Sequence, residues 1–79
     1  WAGGDCVEVG DRITGRRLHV PLGTHANKHG RVIGANLAGG DLRFPGIVGT
    51  AVSKICELEI SRVGLREQEA RDLGLDVVA

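Results

Sequence analysis

A few residues have the type and spacing to take part in chemistry. Gly3, Gly4 and Asp5 form a turn in which the backbone can come close to a ligand while a carboxylate lies beside it. His25 and His29 are four apart, which is the spacing of two metal ligands on one helix face. No third ligand is near them in sequence and no HExxH motif occurs. We therefore expect no metal, with His25 in a first helical turn and His29 facing outward or capping a neighbouring element.

The best-defined predicted element is a helix over residues 24–37. Thr24 follows turn residues and is predicted to be the N-cap, and Gly39 with Gly40 is predicted to end the helix. Small residues spaced four apart form a smooth row on one face: Ala26, Gly30, Gly34 and Ala38. Two interpretations stay open. The row packs against a sheet, or the helix N-terminus faces an anion, which its free N–H groups and dipole would attract.

Short strands are predicted before this helix and longer ones after it. Thr14-Gly15 is predicted to be the turn of a first hairpin. Residues 50–64 alternate with period 2, which predicts two half-buried strands with a bend near Cys56-Glu57. The apolar residues that share one parity in this pattern, and are therefore predicted to share one face, are Val52, Cys56, Leu58 and Ile60. A helix over residues 65–74 and the start of another strand over residues 75–79 would complete a β-β-α-β unit.

Composition limits the classes of function that this chain can have. Its 79 residues include 13 glycines and only two aromatic side chains from Phe, Trp and Tyr, so large core-forming groups are scarce. A domain this small buries only about 60% of its unfolded surface. We therefore expect a piece of a larger protein or an obligate oligomer. Ten basic and ten acidic residues balance, which gives no electrostatic reason to expect a nucleic-acid or membrane partner.

The two cysteines suggest neither a disulfide nor a zinc site. Cys6 and Cys56 are far apart in sequence and no CxxC pattern occurs. We interpret them as two reduced thiols in a cytoplasmic protein. The alternative to an inert reduced thiol at Cys6 is a nucleophilic one.

Five motifs, taken in order, resemble those of the FAD-dependent pyridine nucleotide–disulfide oxidoreductases. The branch they are most similar to contains coenzyme A-disulfide reductase, NADH oxidase and NADH peroxidase, and the resemblance covers essentially the whole chain. The motifs are Gly3-Gly4-Asp5-Cys6; Pro21-Leu22-Gly23-Thr24-His25-Ala26-Asn27-Lys28-His29-Gly30-Arg31; Gly34-x-Asn36-x-x-Gly39; Gly49-Thr50-Ala51-x-x-Lys54; and Gly64-Leu65-x-Glu67-x-Glu69-Ala70.

The resemblance implies an α+β fragment with two parts. Residues 1–44 would be the C-terminal part of the FAD-binding domain, with a turn, a hairpin and a helix. Residues 45–79 would be the N-terminal part of a dimerisation domain, with the β-β-α-β start, so a homodimer is implied.

The resemblance also implies six cofactor-binding residues. Asp5 would accept a hydrogen bond from a ribityl hydroxyl of FAD, and the backbone of Gly4 and Cys6 would lie beside the cofactor. The helix start would face the pyrimidine edge of the flavin with residues Thr24, His25 and Ala26. NAD(P)H would be a co-substrate that binds outside this chain.

Some family features are absent from this sequence. The N-terminal GxGxxG fold, the NAD(P)H domain and the redox cysteine are missing, and neither Cys6 nor Cys56 matches that cysteine. Arg66 stands where the family often has Ser or Thr, so we expect a helix without a side-chain cap there. No catalytic residue is therefore assigned, and the 79 residues alone would be inactive. The alternative is a free-standing dimerisation or interaction module without a cofactor.

Overall fold

The computed structural model describes all 79 residues, which divide into two compact units, residues 1–47 and residues 48–79. The first unit contains β1 (Val9–Gly10), β2 (Arg17–Leu18) and α1 (Gly23–Leu37). The second contains β3 (Ala51–Ile55), β4 (Leu58–Arg62) and α2 (Glu67–Asp72). Each unit has one two-stranded antiparallel sheet and one helix, so the predicted α+β class is confirmed. Neither helix has the length and apolarity that a bilayer crossing requires.

The hairpin of the first unit depends on a buried carboxylate. Asp11 is 6% exposed and accepts hydrogen bonds from the Thr14 hydroxyl at 2.7 Å and from the Ile13 N–H at 3.1 Å. These bonds, led by the one from Thr14, lower the pKa of Asp11 below its ordinary value. Gly15 has a φ of 72°, and its N–H donates to the Asp11 carbonyl at 2.8 Å. The predicted Thr14-Gly15 turn is thus present, between β1 and β2.

The apolar core of the first unit is very small. Val9 on β1 and Ile47 are its buried hydrophobic residues, at 6% and 4% exposure. Ile47 lies beside the hairpin in a parallel bridge with Asp11. Its N–H donates to the Gly10 carbonyl at 2.9 Å, and its carbonyl accepts from the Arg12 N–H at 2.8 Å. Backbone hydrogen bonds therefore supply much of what a larger core would provide.

Helix α1 ends as predicted and begins differently. Its last carbonyls accept from the N–H of Gly39 and of Gly40, at 3.1 and 2.9 Å, in the glycine-terminated arrangement expected. At the start, Leu22 is the N-cap and no side chain bonds there, so the prediction of a Thr24 cap is wrong. Thr24 lies inside the first helical turn, where its side chain no longer reaches an orphan N–H.

Beyond Ala26, the small-residue row of α1 does not pack against the rest of the unit. Gly30 and Gly34 are exposed, and a Cβ added at either would meet nothing within 4 Å. The buried face instead carries His25 and His29, each 7% exposed. Within this chain, the first interpretation of the row, packing on a sheet, is therefore not realised.

In the second unit, a two-residue turn at Cys56-Glu57 joins β3 to β4, as predicted. Cys56 adopts a φ of 53°, a left-handed value that hairpins usually give to Gly, Asn or Asp. Because Ile55 pairs with Leu58, the apolar residues change parity across the turn. Ile55, Leu58 and Ile60 share one face, and Val52 lies on the other. The predicted single-parity face is wrong for this reason, and these four side chains are 50–71% exposed rather than half-buried.

Helix α2 has its start fixed by an acidic residue instead of a Ser or Thr cap. The Glu69 carboxylate accepts from the backbone N–H and from the guanidinium of Arg66, both at 2.8 Å. These two bonds lower the pKa of Glu69 to about 2. Glu67 and Arg71 form an ion pair at 2.7 Å, and Gly74, at a φ of 76°, follows the end of the helix.

Residues 75–79 form no strand, so the last element of the predicted β-β-α-β series is absent. A strand must pair its backbone groups with a neighbouring strand, and the two strands of this unit pair only with each other.

Candidate functional site

The turn at the start of the chain packs directly onto α1. The Gly4 N–H donates to Nδ1 of His29 at 3.0 Å, and Gly4 has a left-handed φ of 88°. A Cβ added at Gly3 would lie 2.8 Å from Cδ1 of Ile33 and 2.9 Å from Cβ of His29. The close backbone approach that glycine permits is thus made by this turn onto the helix side chains.

His29 is a buried structural acceptor. Its ring packs edge-on against Phe44, with ring centroids 4.3 Å apart and an interplanar angle of 86°. The sequence predicts that His29 either faces outward or caps a neighbouring element. The ring is buried and accepts from the Gly4 N–H, so the second expectation is confirmed. No group of three or more His, Cys, Asp and Glu side chains comes together in a way that could hold a metal ion.

Asp5 follows Gly4 in the turn, and its backbone and side chain have different surroundings. Nε2 of His19 donates to the Asp5 carbonyl at 2.6 Å, which holds the peptide between Asp5 and Cys6. The Asp5 side chain is exposed, and its carboxylate takes part in none of the four ion pairs of the chain. The acceptor that was predicted to meet a ligand is therefore available. Cys6 is an exposed free thiol whose Sγ lies 3.5 Å from the Gly3 carbonyl.

The start of α1 has free donors, but they are earlier than the sequence suggested. The N–H groups of His25 and Ala26 both donate to the Leu22 carbonyl at 3.0 Å. The backbone donors without an acceptor in the chain are those of Gly23 and Thr24. Of the three predicted helix-start residues, Thr24 thus keeps an available N–H, whereas His25 and Ala26 do not.

The side chains of the three predicted helix-start residues also differ in their exposure. Thr24 is exposed, Ala26 is half-buried, and His25 is buried with Nδ1 3.4 Å from the Val20 carbonyl. A Cβ placed on Gly4 would come within 3.9 Å of the Ala26 Cβ. The fold therefore brings the N-terminal turn and the first turns of α1 together, although they are about twenty residues apart in sequence.

A cavity of about 430 Å³ lies beside the N-terminal segment. Its walls come from the chain start, β1, α1 and residues 42–44, and they include His29, Ile33 and Phe44. Sequence reasoning missed this cavity. The available signal was the apolar pair Val32 and Ile33, placed three and four residues after His29.

Comparison with known proteins gives consistent matches. The chain is 51% identical over 77 residues to the NAD(P)H coenzyme A polysulfide/persulfide reductase of Pyrococcus horikoshii. It is 49% identical over 65 residues to an NADH oxidase of Methanocaldococcus jannaschii, covering 82% of this chain and 14% of that protein. Its fold matches an NAD-dependent persulfide reductase from A. fulgidus with a TM-score of 0.91 at 46% identity. That match covers 96% of this chain and 14% of the reductase chain.

No protein-family model matches the chain. The P. horikoshii match covers 98% of this chain and 17% of the relative, so the chain spans about one sixth of the length of that protein.

The packing of the N-terminal turn on α1 predicts the effect of one added methyl group. Gly3→Ala should destabilise the first unit by about 1–3 kcal/mol, because the Cβ overlaps Ile33 and His29. Gly30→Ala is the matched control, since it adds the same group in open space on α1 and should stabilise by about 0.5–1 kcal/mol. Denaturant unfolding measures both. Equal midpoints for Gly3→Ala and the unmodified protein would show that the turn does not rest on the helix.

Proposed function

We propose a function from the premise that this chain belongs, as one segment, to the family of NAD(P)H-dependent coenzyme A persulfide reductases and NADH oxidases. In this proposal it is part of a cytoplasmic flavoprotein that transfers electrons from NAD(P)H through FAD to a disulfide, a peroxide or dioxygen. Residues 1–44 would close the FAD-binding domain, and residues 45–79 would open the dimerisation domain. The 79 residues would contribute contacts to the cofactor in the whole protein and would not catalyse the reaction alone.

One observation carries the proposal. The exposed Asp5 carboxylate lies on a glycine turn that packs onto α1, the helix whose first N–H groups have no acceptor in the chain. A carboxylate accepts hydrogen bonds and the helix start donates them. A ligand that has hydroxyl groups in one part and an electron-rich ring edge in another would use both. The chain of hydroxyls and the ring of FAD have these two properties, so the residues fit this cofactor.

Each part of the site would have a separate task. When bound, FAD would supply hydride acceptance from NAD(P)H and electron delivery to the acceptor. Asp5 would hold a ribityl hydroxyl, and the backbone of Gly4 and Cys6 would lie along the cofactor. The N–H groups of Gly23 and Thr24, with the positive end of the helix dipole, would favour negative charge on the flavin ring.

His25 and Ala26 would act indirectly in this site. Both use their N–H groups inside the helix, and His25 is buried. Their contribution would be to set where α1 begins and how closely it lies to Gly4. The alternative of a free-standing interaction module is not better supported, because the matched relatives are reductases and an oxidase.

The first test concerns Asp5. In the holo protein, Asp5→Ala should weaken FAD retention by about 1.5–3 kcal/mol, because a hydrogen bond to a charged acceptor is lost. Flavin content after extensive dialysis, read from its visible absorbance, gives the measurement. Asp41→Ala, which removes another exposed carboxylate, serves as the control. Full retention by Asp5→Ala would refute the ribityl assignment.

The second test concerns the backbone donors. Gly23→Pro removes one of the free N–H groups, and proline is well suited to the first position of a helix. The preceding residue, Leu22, already has the extended conformation that proline requires before it, with a φ of −125° and a ψ of 137°. The flavin potential should become more negative by about 30–60 mV, since the anionic reduced form loses one donor.

Gly23→Ala is the matched control for that test. It keeps the N–H, and its Cβ meets nothing within 4 Å, so it should leave the potential unchanged. Redox titration compares the two variants with the unmodified protein. If Gly23→Pro retains FAD and titrates like Gly23→Ala, the helix start does not act on the flavin charge.

The proposed homodimer can be tested on the second unit. The face formed by Ile55, Leu58 and Ile60 is apolar and exposed, and such a face is typical of a covered interface. We expect Ile60→Lys to dissociate the dimer in sedimentation experiments. Val52→Lys places the same charge on the opposite face of the hairpin and should leave the dimer intact. An Ile60→Lys protein that remains dimeric would exclude this face from the interface.

A further inference from the structure

Two histidines hold the N-terminal turn at consecutive residues. Nδ1 of His29 accepts from the Gly4 N–H at 3.0 Å, and Nε2 of His19 donates to the Asp5 carbonyl at 2.6 Å. One histidine comes from α1 and the other from the segment after β2. We call these two contacts the histidine clamp. It holds the Gly4 N–H before the Asp5 side chain and the Asp5 carbonyl after it.

The two contacts place opposite demands on the imidazole rings. His29 can accept only while Nδ1 carries no proton, so its ring must be neutral with the proton on Nε2. His19 donates through Nε2, which bears a proton both in one neutral tautomer and in the cation. Acid therefore leaves the His19 contact possible and removes the His29 contact.

The surroundings of His29 make that loss consequential. The ring is 7% exposed and packs edge-on against Phe44, so it cannot turn freely to offer another acceptor. A protonated Nδ1 would place a donor against the Gly4 N–H and leave this part-buried N–H without its acceptor, which disfavours the contact. The turn must then move away from α1.

We propose that His29 is a positioning residue whose neutral ring orders the Gly4–Asp5 turn, so that protonation of His29 releases the turn and the Asp5 carboxylate with it. The consequence for flavin retention rests on the function proposed above, whereas the consequence for the turn does not. His29 would act on the cofactor only through its contact with the Gly4 backbone.

Other titratable groups lie on the elements that surround His29. Glu8 and Arg43 line the same cavity, and His25 precedes His29 by one helical turn. The groups to be separated from His29 in any pH response are the Trp1 amino group, Asp5, Cys6, Glu8, His25 and Arg43. Of these, Glu8 is the carboxylate that shares the cavity, so Glu8→Gln is the control for a neighbouring charge.

The test is the hydrogen exchange of the Gly4 amide in the protein, measured from about pH 8 to about pH 5, the range in which histidine titrates. After correction for the intrinsic pH dependence of exchange, the rate should rise by up to about tenfold per pH unit as His29 is protonated. In the flavin-loaded protein, FAD release should accelerate over the same range.

Two substitutions separate positioning from simple packing. His29→Asn places an amide oxygen near the position of Nδ1 and does not titrate, so Gly4 should stay protected across the whole pH range. His29→Leu keeps the apolar bulk without an acceptor, and Gly4 should exchange rapidly at every pH. Glu8→Gln should retain the pH response of the unmodified protein.

Each outcome decides the inference. A pH-independent Gly4 rate in the unmodified protein, or a pH response that persists in His29→Asn, would overturn it. Loss of the response in Glu8→Gln alone would assign it to Glu8 and also overturn it. If the protein binds no FAD, the proposed function fails, and the Gly4 measurement still decides the role of His29.

Discussion

The contact between Gly4 and His29 is the interaction on which the first unit depends. The unit has almost no apolar interior, since Val9 and Ile47 are its buried hydrophobic residues. Without a large core, the N-terminal turn is held on α1 by a hydrogen bond to a buried ring and by a close approach at Gly3. A hydrogen bond is directional, whereas apolar packing is not. This unit therefore has its N-terminal turn, with Asp5, held in one orientation on α1.

The parts of the fold that depend on neighbouring residues in the sequence could be predicted. Helix ends that rely on glycine were visible, because Gly39, Gly40 and Gly74 satisfy local backbone requirements. The Cys56-Glu57 bend was visible from the length of the period-2 pattern. The face on which Val52 lies could not be predicted, because it depends on the register of the hairpin. A shift of one residue in that register moves every side chain of the strand to the opposite face.

The candidate site was predictable in its parts and not in its contacts. The Gly3–Asp5 turn and the start of α1 stand out in sequence, but nothing there says that His29 meets Gly4 across 25 positions of chain. The available donors at the helix start also moved. Leu22 became the N-cap, so Gly23 and Thr24, rather than His25 and Ala26, keep free N–H groups. A shift of two residues in the N-cap changes which donors are available.

The three histidines show why residue spacing alone misleads. His25 and His29 have the separation of metal ligands, yet both rings contact backbone groups, Val20 for His25 and Gly4 for His29. His19, which has no motif around it, contacts Asp5. Each ring therefore ties one segment of the unit to another, where a larger domain would use apolar side chains. Of the three contacts, only the one between His29 and Gly4 requires a ring nitrogen without a proton, because the other two rings face carbonyl oxygens.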